Sequence, residues 1–382
     1  MKVKVYASTK TGHTLPREEV KVISGKAAGV CYMKDTFETL DQEPFTKSTK
    51  RAEMTLTSWH HSVWEHATYT LVLEDVPKIL AMLLNNEGLY NTSEKSARYT
   101  EMKTEGLEKE LYEKWISLFA KKIQEVYPTM SETETVKKAQ ENARYLISVF
   151  TPATTMVYTV SYRKLNDICH AFERIEPYTI FMRKVQEVAL DFVEKIKALD
   201  LYEPNLDCHY ELSLWDNRQF HAEHFSETYS TTYYGTFSQL AQAQRHRKIR
   251  YCMLDPDVDG TSCYYAPPII RADVDLLDEW WSDMISLGEN YPQGLKVRIN
   301  ERGTYEQFAY KCKERLCGAA QLEIMQQTKE TLATYLKKTK EKDVETYEYL
   351  EQYAQGTKVT MPSGFCSRPC FFTCKKAFKR LV

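Results

Sequence analysis

No apolar run in this chain approaches the length of a membrane span, and the opening MKVKVYAST lacks the apolar core and cleavage site of a signal peptide. A membrane location is therefore not expected, and a cytoplasmic one is. An excess of charge of one sign is also missing, because 51 Lys plus Arg stand against 53 Asp plus Glu. No global field would hold the protein on nucleic acid or on an anionic membrane, so anion binding must come from local clusters. Cysteine pairs separated by two residues are absent, as is the His-Glu-x-x-His pattern of helix-borne zinc sites. The ten cysteines are scattered apart from Cys366, Cys370 and Cys374, which excludes the dense disulfide framework of a small secreted domain and leaves reduced thiols as the expectation.

What is present is enough chain for two cores: 382 residues suit two domains of ordinary size. The opening MKVKVYAS reads as a strand, residues 47–58 as a short helix or loop, and the His-rich SWHHSVWEH as a polar turn entering a strand at Thr68–Leu73. A helix follows from Pro77 to the stop signals Asn85, Asn86 and Gly88, and NTSEKSARYTEM reads as an exposed loop. Residues 106–127 and 131–146 have helical spacing, TPATTMVYTVSY is strand-like, and 163–200 is helical again. A similar order recurs after about residue 205: YELSLWDN, a polar stretch, a helix over GTFSQLAQAQRHRKIRY, an Asp- and Gly-rich loop, a helix around Trp280 and Trp281, and a final helix from about Thr304 to Lys337. The expected division is a first copy over 1–200 and a second over 201–382, the latter with a Cys-rich C-terminal extension.

Three clusters can carry chemistry. His60, His61, Ser62, Glu65 and His66 fall within seven residues; they are either polar residues at a strand entrance or ligand types for a metal, although His60 and His66 would need a turn to converge. Arg245, His246 and Arg247 close a predicted helix; successive residues project about 100° apart, so they can surround one compact group but cannot form a flat stripe, and they also complement the helix macrodipole. Ser96, Ala97, Arg98 and Tyr99 offer a hydroxyl, a guanidinium and backbone N–H groups to a phosphate, or form a solvated loop. Cys366, Cys370 and Cys374, with Cys312 or Cys317, could form a zinc or iron–sulfur site, or be buried thiols beside aromatic side chains; without a close cysteine pair, no metal is expected.

In combination these motifs resemble the flavin-dependent thymidylate synthases. In that family a His-x-Ser/Thr-x-x-Glu-His segment precedes an apolar helix ending in Arg-His-Arg, followed by a loop ending Ser-x-Arg-Tyr. His60, Ser62, Glu65 and His66 match the first pattern, and Ser96, Arg98 and Tyr99 the third. The first half has Asn85, Asn86 and Glu87 where Arg-His-Arg would stand; the second half supplies Arg245, His246 and Arg247, with Gln242 three residues before, but no Ser-x-Arg-Tyr. Ala143 and Arg144 match an Ala-Arg pair, and Arg315, Ala320, Gln321, Glu323 and Ile324 match the family's Arg and Ala-Gln-x-Glu-Ile helix. Asp167 and Tyr310 stand where the family usually has Asn. Each half keeps elements that the other has lost.

The resemblance implies an α+β fold: two tandem copies of the family's domain, each a mixed or antiparallel sheet packed with long helices. It implies reductive methylation of dUMP to dTMP with methylenetetrahydrofolate and NADPH as co-substrates and FAD as cofactor. His60, Ser62, Glu65, Arg245, His246 and Arg247 would hold the flavin. Ser96, Arg98, Tyr99, Arg144, Gln242 and Arg315 would bind dUMP, with Arg98 and Arg315 in catalysis. Because the family's sites draw on several subunits, a homodimer would act as a pseudo-tetramer. The alternatives are a related uridylate-modifying flavoenzyme, a catalytically degenerate nucleotide-binding or assembly protein, and a nucleic-acid binder stacking bases on tyrosines, which the near-neutral charge disfavours.

Overall fold

A computed structural model describes residues 1–9, 17–30, 36–58, 60–96, 100, 102–207, 211–215, 228–260, 263–355, 371–372 and 377–382. Its elements, in chain order, begin with β1 (Lys2–Ser8), α1 (Arg17–Val30), α2 (Phe37–Asp41), α3 (Phe45–Thr57), β2 (Thr68–Val76), α4 (Lys78–Asn86) and β3 (Tyr90–Glu94). They continue with α5 (Gly106–Val126), α6 (Glu132–Ala143), β4 (Thr154–Ser161), α7 (Tyr162–Glu173), α8 (Ile180–Ala198), β5 (Thr228–Thr236) and α9 (Phe237–Ala243). The last are β6 (Arg250–Met253), α10 (Pro256–Asp259), α11 (Val274–Ser286), β7 (Lys296–Thr304), α12 (Tyr305–Arg315), α13 (Leu322–Thr339) and α14 (Val344–Glu351). The chain divides into two compact units, Met1–Lys95 with Phe150–Leu212 and Ser96–Val149 with Ser213–Val382.

The first unit holds an antiparallel sheet in the order β1-β2-β4-β3. Alternation in β2 buries Tyr69, Leu71 and Leu73 on one face, the period-2 signature of a half-buried strand. Trp64 anchors the entrance to β2: its ring is buried against Tyr162, 6.0 Å between centroids, and its Nε1 donates to Thr55 Oγ1 at 3.0 Å. The NTSEKSARYTEM segment is not wholly a loop, since its first four residues belong to β3. Asn91–Glu94 pair with Thr159–Met156 of β4, a partner that local composition does not reveal. A left-handed turn at Gly88 (φ 65°) and Leu89 (φ 51°) swings the chain into that register. The helix expected over 163–200 is two: α7 ends before Pro177, and α8 restarts behind Thr179, whose side chain accepts from Met182 N at 3.0 Å.

The second unit holds the antiparallel sheet β5-β7-β6. The helices α5 and α6 belong to it, so the compact units do not follow the boundary expected at residue 200. Packing explains the difference. Trp115 meets the buried Trp280 edge-on with centroids 4.8 Å apart, Phe119 lies 5.5 Å from the same ring, and Lys114 and Lys122 pair with Asp283 and Asp273 at 2.6 and 2.9 Å. The strand β7 was not expected, although Val297 and Ile299 alternate in it, because its next inward residue is the buried Glu301. The helix expected over 235–251 is only α9, with β5 before it and β6 after it. The final helix breaks into α12 and α13, and at Gly318 in the break a Cβ would sit 2.3 Å from Phe372 O. Both units thus combine helices with antiparallel sheets, an α+β architecture.

Among the described residues no helix is long and apolar enough to cross a membrane. In the first unit, Arg51 clamps Glu43 through two hydrogen bonds of 2.7 and 2.8 Å, and Ser48 adds a third at 2.6 Å. These bonds, Arg51 first, hold the Glu43 carboxyl down to about 2 from its ordinary 4.5. A depressed carboxyl stabilises the fold above its unfolded value and loses that contribution as pH falls from 4.5 towards 2. Replacement Glu43→Gln is therefore expected to cost about 1 kcal/mol at neutral pH, after solvent screening, and to flatten urea-measured stability across that acid window.

Candidate ligand-binding site

The strand β5 ends at Thr236, whose Oγ1 accepts from Gln239 N at 3.0 Å and caps α9. The short helix buries Phe237, Leu240 and Ala243, then tightens: Arg245 N donates to Gln242 O and His246 N to Ala243 O at 3.3 and 2.9 Å. Burial alternates through this turn. His246 is buried while Arg245, Arg247 and Lys248 are exposed. Opposite, α12 starts in a capping box in which Gln307 N donates to Thr304 Oγ1 and Thr304 N to Gln307 Oε1. In its last turn Arg315 Nε donates to His246 Nε2 at 2.8 Å and Nη2 to Gln242 O at 3.2 Å.

Between the turn and α12 lies a cavity of about 560 Å³, lined by His246 and by four cations, Arg245, Arg247, Lys248 and Lys313, against one carboxylate, Glu306. Tyr310 and Tyr349 supply aromatic surface. Burial, reinforced by Arg315 and Lys311, holds the His246 imidazole well below its ordinary 6.5, so it is neutral at pH 7. This arrangement is suited to an anionic ligand with a planar or acceptor-rich part. Lys248, Lys313 and Tyr349 were not among the expected site residues, and Tyr310 was noted only as standing where the family usually has Asn; the i,i+3 spacing of Tyr310 and Lys313 was the available signal for Lys313.

The position of α12 rests on a fully buried ion pair. Lys311 Nζ donates to Glu301 Oε2 of β7 at 2.6 Å and to Gln327 Oε1 at 3.0 Å. Tyr229 and Tyr233 of β5 donate to the Glu301 oxygens at 2.8 and 3.0 Å. Burial pulls Lys311 below its ordinary value, and the carboxylate opposes it. A second polar chain runs beneath Gln242: its Nε2 donates to Gln321 Oε1, Gln321 Nε2 to Tyr145 OH, and Tyr145 OH to Glu323 Oε2 at 2.9 Å. Glu323 also accepts from Thr236 N and Oγ1 at 3.0 and 2.7 Å, and burial raises its carboxyl. Arg144, buried next to Tyr145, has its guanidinium 5.9 Å from that ring.

Within the second unit, therefore, Gln242, Arg245, His246, Arg247 and Arg315 come together, and hydrogen bonds connect Gln242 to Tyr145, the neighbour of Arg144. Ser96 is part-exposed, and its carbonyl accepts from Thr100 N and Oγ1. Arg98 and Tyr99 lie outside the described residues, as do Cys366, Cys370 and Cys374. In the first unit, His60 and Ser62 are exposed at a one-turn helix entering β2, whereas His61 is buried with Nε2 3.3 Å from Leu56 O. Glu65 accepts from Ser161 Oγ and lies 3.7 Å from Arg163. Among the described residues no three His, Cys, Asp or Glu side chains converge as metal ligands. Cys252, Cys169 and Cys312 are buried thiols outside any disulfide, and burial drives the latter two far above their ordinary range.

The fold and this cavity define an α+β protein with a cationic cavity beside a buried, neutral imidazole. Residues 15–174 match the model of the family described as thymidylate synthase complementing protein. No curated protein matches the chain. Among solved structures, a UMP/dUMP methylase PolB from Streptomyces cacaoi bound with 5-Br dUMP is similar at 17% identity over 53% of this chain and 97% of that one, with a TM-score of 0.34. The flavin-dependent thymidylate synthase ThyX from Helicobacter pylori, complexed with FAD and dUMP, is similar at 17% identity over 53% and 98%, with a TM-score of 0.33.

Removing one member of the buried ion pair leaves the other charge unpaired. Lys311→Met is expected to cost about 3–5 kcal/mol in urea unfolding, and adding Glu301→Gln to recover much of that loss, because the pair as a whole contributes far less than its rupture costs.

Proposed function

We propose that the chain is a flavin-dependent thymidylate synthase that methylates dUMP to dTMP with methylenetetrahydrofolate and NADPH. The observation that carries this reading is the cavity beside His246, where four cations surround a buried, neutral imidazole on the Arg-His-Arg motif of the second unit. The match of residues 15–174 to the thymidylate synthase complementing protein model supports it independently.

The residues present fit FAD. Arg245 and Arg247 complement its negative charge, and buried His246 has an Nδ1 without a hydrogen-bond partner among the described residues. When bound, the flavin supplies the hydride chemistry between NADPH and the one-carbon unit. The protein's own share is binding and electrostatics. Arg245, His246 and Arg247 hold the cofactor's charged part, with His60, Ser62 and Glu65 as further flavin-binding residues. Ser96, Arg98, Tyr99, Arg144, Gln242 and Arg315 bind dUMP, the guanidiniums matching phosphate oxygens and charge developing on the uracil carbonyls. No protein nucleophile is required, which accords with the buried thiols.

The two halves are diverged copies of one domain, and a homodimer is a pseudo-tetramer whose sites draw on both halves. Complementary motif losses support this, since Ser-x-Arg-Tyr survives in the first half and Arg-His-Arg in the second.

Purified protein is expected to show flavin absorbance, and the reduced flavin to reoxidise in the presence of dUMP and methylenetetrahydrofolate with formation of dTMP. Flavin without dTMP would redirect the reading to another uridylate modification, and no flavin after reconstitution to a degenerate binding protein. Arg245→Ala with Arg247→Ala should weaken FAD binding at least tenfold, because each guanidinium supplies a charge-assisted hydrogen bond that alanine cannot make. Mixing Arg98→Ala and Arg247→Ala chains should restore activity that neither has alone; no restoration would place each site within one chain.

A further inference from the structure

The two ring nitrogens of His246 have unlike surroundings. Arg315 Nε lies 2.8 Å from His246 Nε2. A guanidinium Nε carries one hydrogen and no available lone pair, so it donates, and Nε2 must accept. An accepting Nε2 excludes both the imidazolium and the Nε2–H tautomer, which leaves the ring hydrogen on Nδ1. The Glu314 carboxylate would favour a proton on Nε2, but it stands 4.0 Å away and is 42% exposed, whereas the Arg315 contact is direct. Lys311, on the same helix, opposes protonation, and Tyr310 meets the ring edge-on at 6.3 Å. The His246 side chain is only 3% exposed, its Nδ1 has no hydrogen-bond partner among the described residues, and the ring lines the cationic cavity. A buried N–H without a partner is costly, and a ligand acceptor would remove that cost.

We propose that Arg315 is a positioning residue that locks His246 as the neutral Nδ1–H tautomer, so that the cavity offers a fixed N–H donor to an acceptor atom of the anionic ligand held by Arg245 and Arg247. A neutral imidazole donates a hydrogen bond without surrendering its proton, and it adds no third positive charge beside the two arginines. The hydrogen bond thus fixes one acceptor atom of the ligand without adding charge to that of the flanking arginines. The proposal rests on the flavin reading for the identity of the ligand, but the tautomer belongs to the free protein.

The test is a long-range proton–nitrogen NMR spectrum of histidine-labelled protein, with His246 assigned by the signal that disappears in His246→Gln. In the free wild type, His246 is expected to show an unprotonated Nε2 and a protonated Nδ1, and to remain so well below pH 6.5. Arg315→Met should populate the Nε2–H form and shift the titration upward, since a donor and a cation have gone, while Arg315→Lys should keep the wild-type tautomer. An imidazolium or an Nε2–H ring in the wild type at neutral pH overturns the proposal, as does an unchanged tautomer in Arg315→Met. If Arg315→Met does not fold, the wild-type and Arg315→Lys spectra decide. Added FAD should move the Nδ1 resonance, and Arg315→Met should bind it about tenfold more weakly. An Nδ1 resonance unmoved by FAD whose absorbance shows it bound overturns the donor role. Should FAD not bind, the flavin reading fails and inorganic pyrophosphate becomes the probe: a shift of Nδ1 supports the donor, and binding without one overturns it.

Discussion

The buried pair between Glu301 and Lys311 is the contact on which the second unit's site depends. It joins β7 to α12 with neither charge exposed to water, and Tyr229, Tyr233 and Gln327 complete its hydrogen bonding. A low-dielectric ion pair tolerates little displacement, because desolvation is repaid only at close range and good geometry. One helical turn further, Arg315 inherits that placement and reaches His246. The ion pair thus sets where the helix lies, and with it where Arg315 meets an imidazole that burial first of all keeps neutral.

A second constraint acts from the other side. Glu323 takes hydrogen bonds from Thr236, the cap of α9, and from Tyr145, while Gln321 links Tyr145 to Gln242. The start and end of α9 are therefore tied to α13 through side chains. The turn that carries Arg245, His246 and Arg247 follows directly, so its shape is held by polar contacts beneath it while the arginines stay exposed. Rigid support beneath exposed cations suits the proposed binding of a charged ligand.

Much of the first unit was legible. The alternation of Thr68–Leu73, the helix between Pro77 and Gly88 and the strand over 154–161 follow from periodicity and stop signals close in sequence. The strand β3 was not, because Asn91, Thr92 and Ser93 acquire strand geometry only from β4, more than sixty residues on. In the second unit β7 escaped notice because a buried Glu301 reads as solvated until its Lys311 is seen beside it. The breaks at Arg174 and Leu316 divided helices whose apolar spacing continued on either side. At the site, Arg245, His246, Arg247, Gln242 and Arg315 were recognisable as motif residues, whereas the cavity's Lys248, Lys313 and Tyr349 belong to no motif.

The sequence by itself determined the α+β class, the lack of any apolar run of membrane-span length and the identity of the motif residues, because these rest on periodicity, hydropathy and residue chemistry within short windows. Only the tertiary structure decided that α5 and α6 pack with the second unit, where Trp280 receives Trp115 and Phe119. It alone decided that Arg315 faces an imidazole, 69 residues away along the chain. A histidine's charge and tautomer depend on burial and on the donor opposite each nitrogen, and those are properties of neighbours in space.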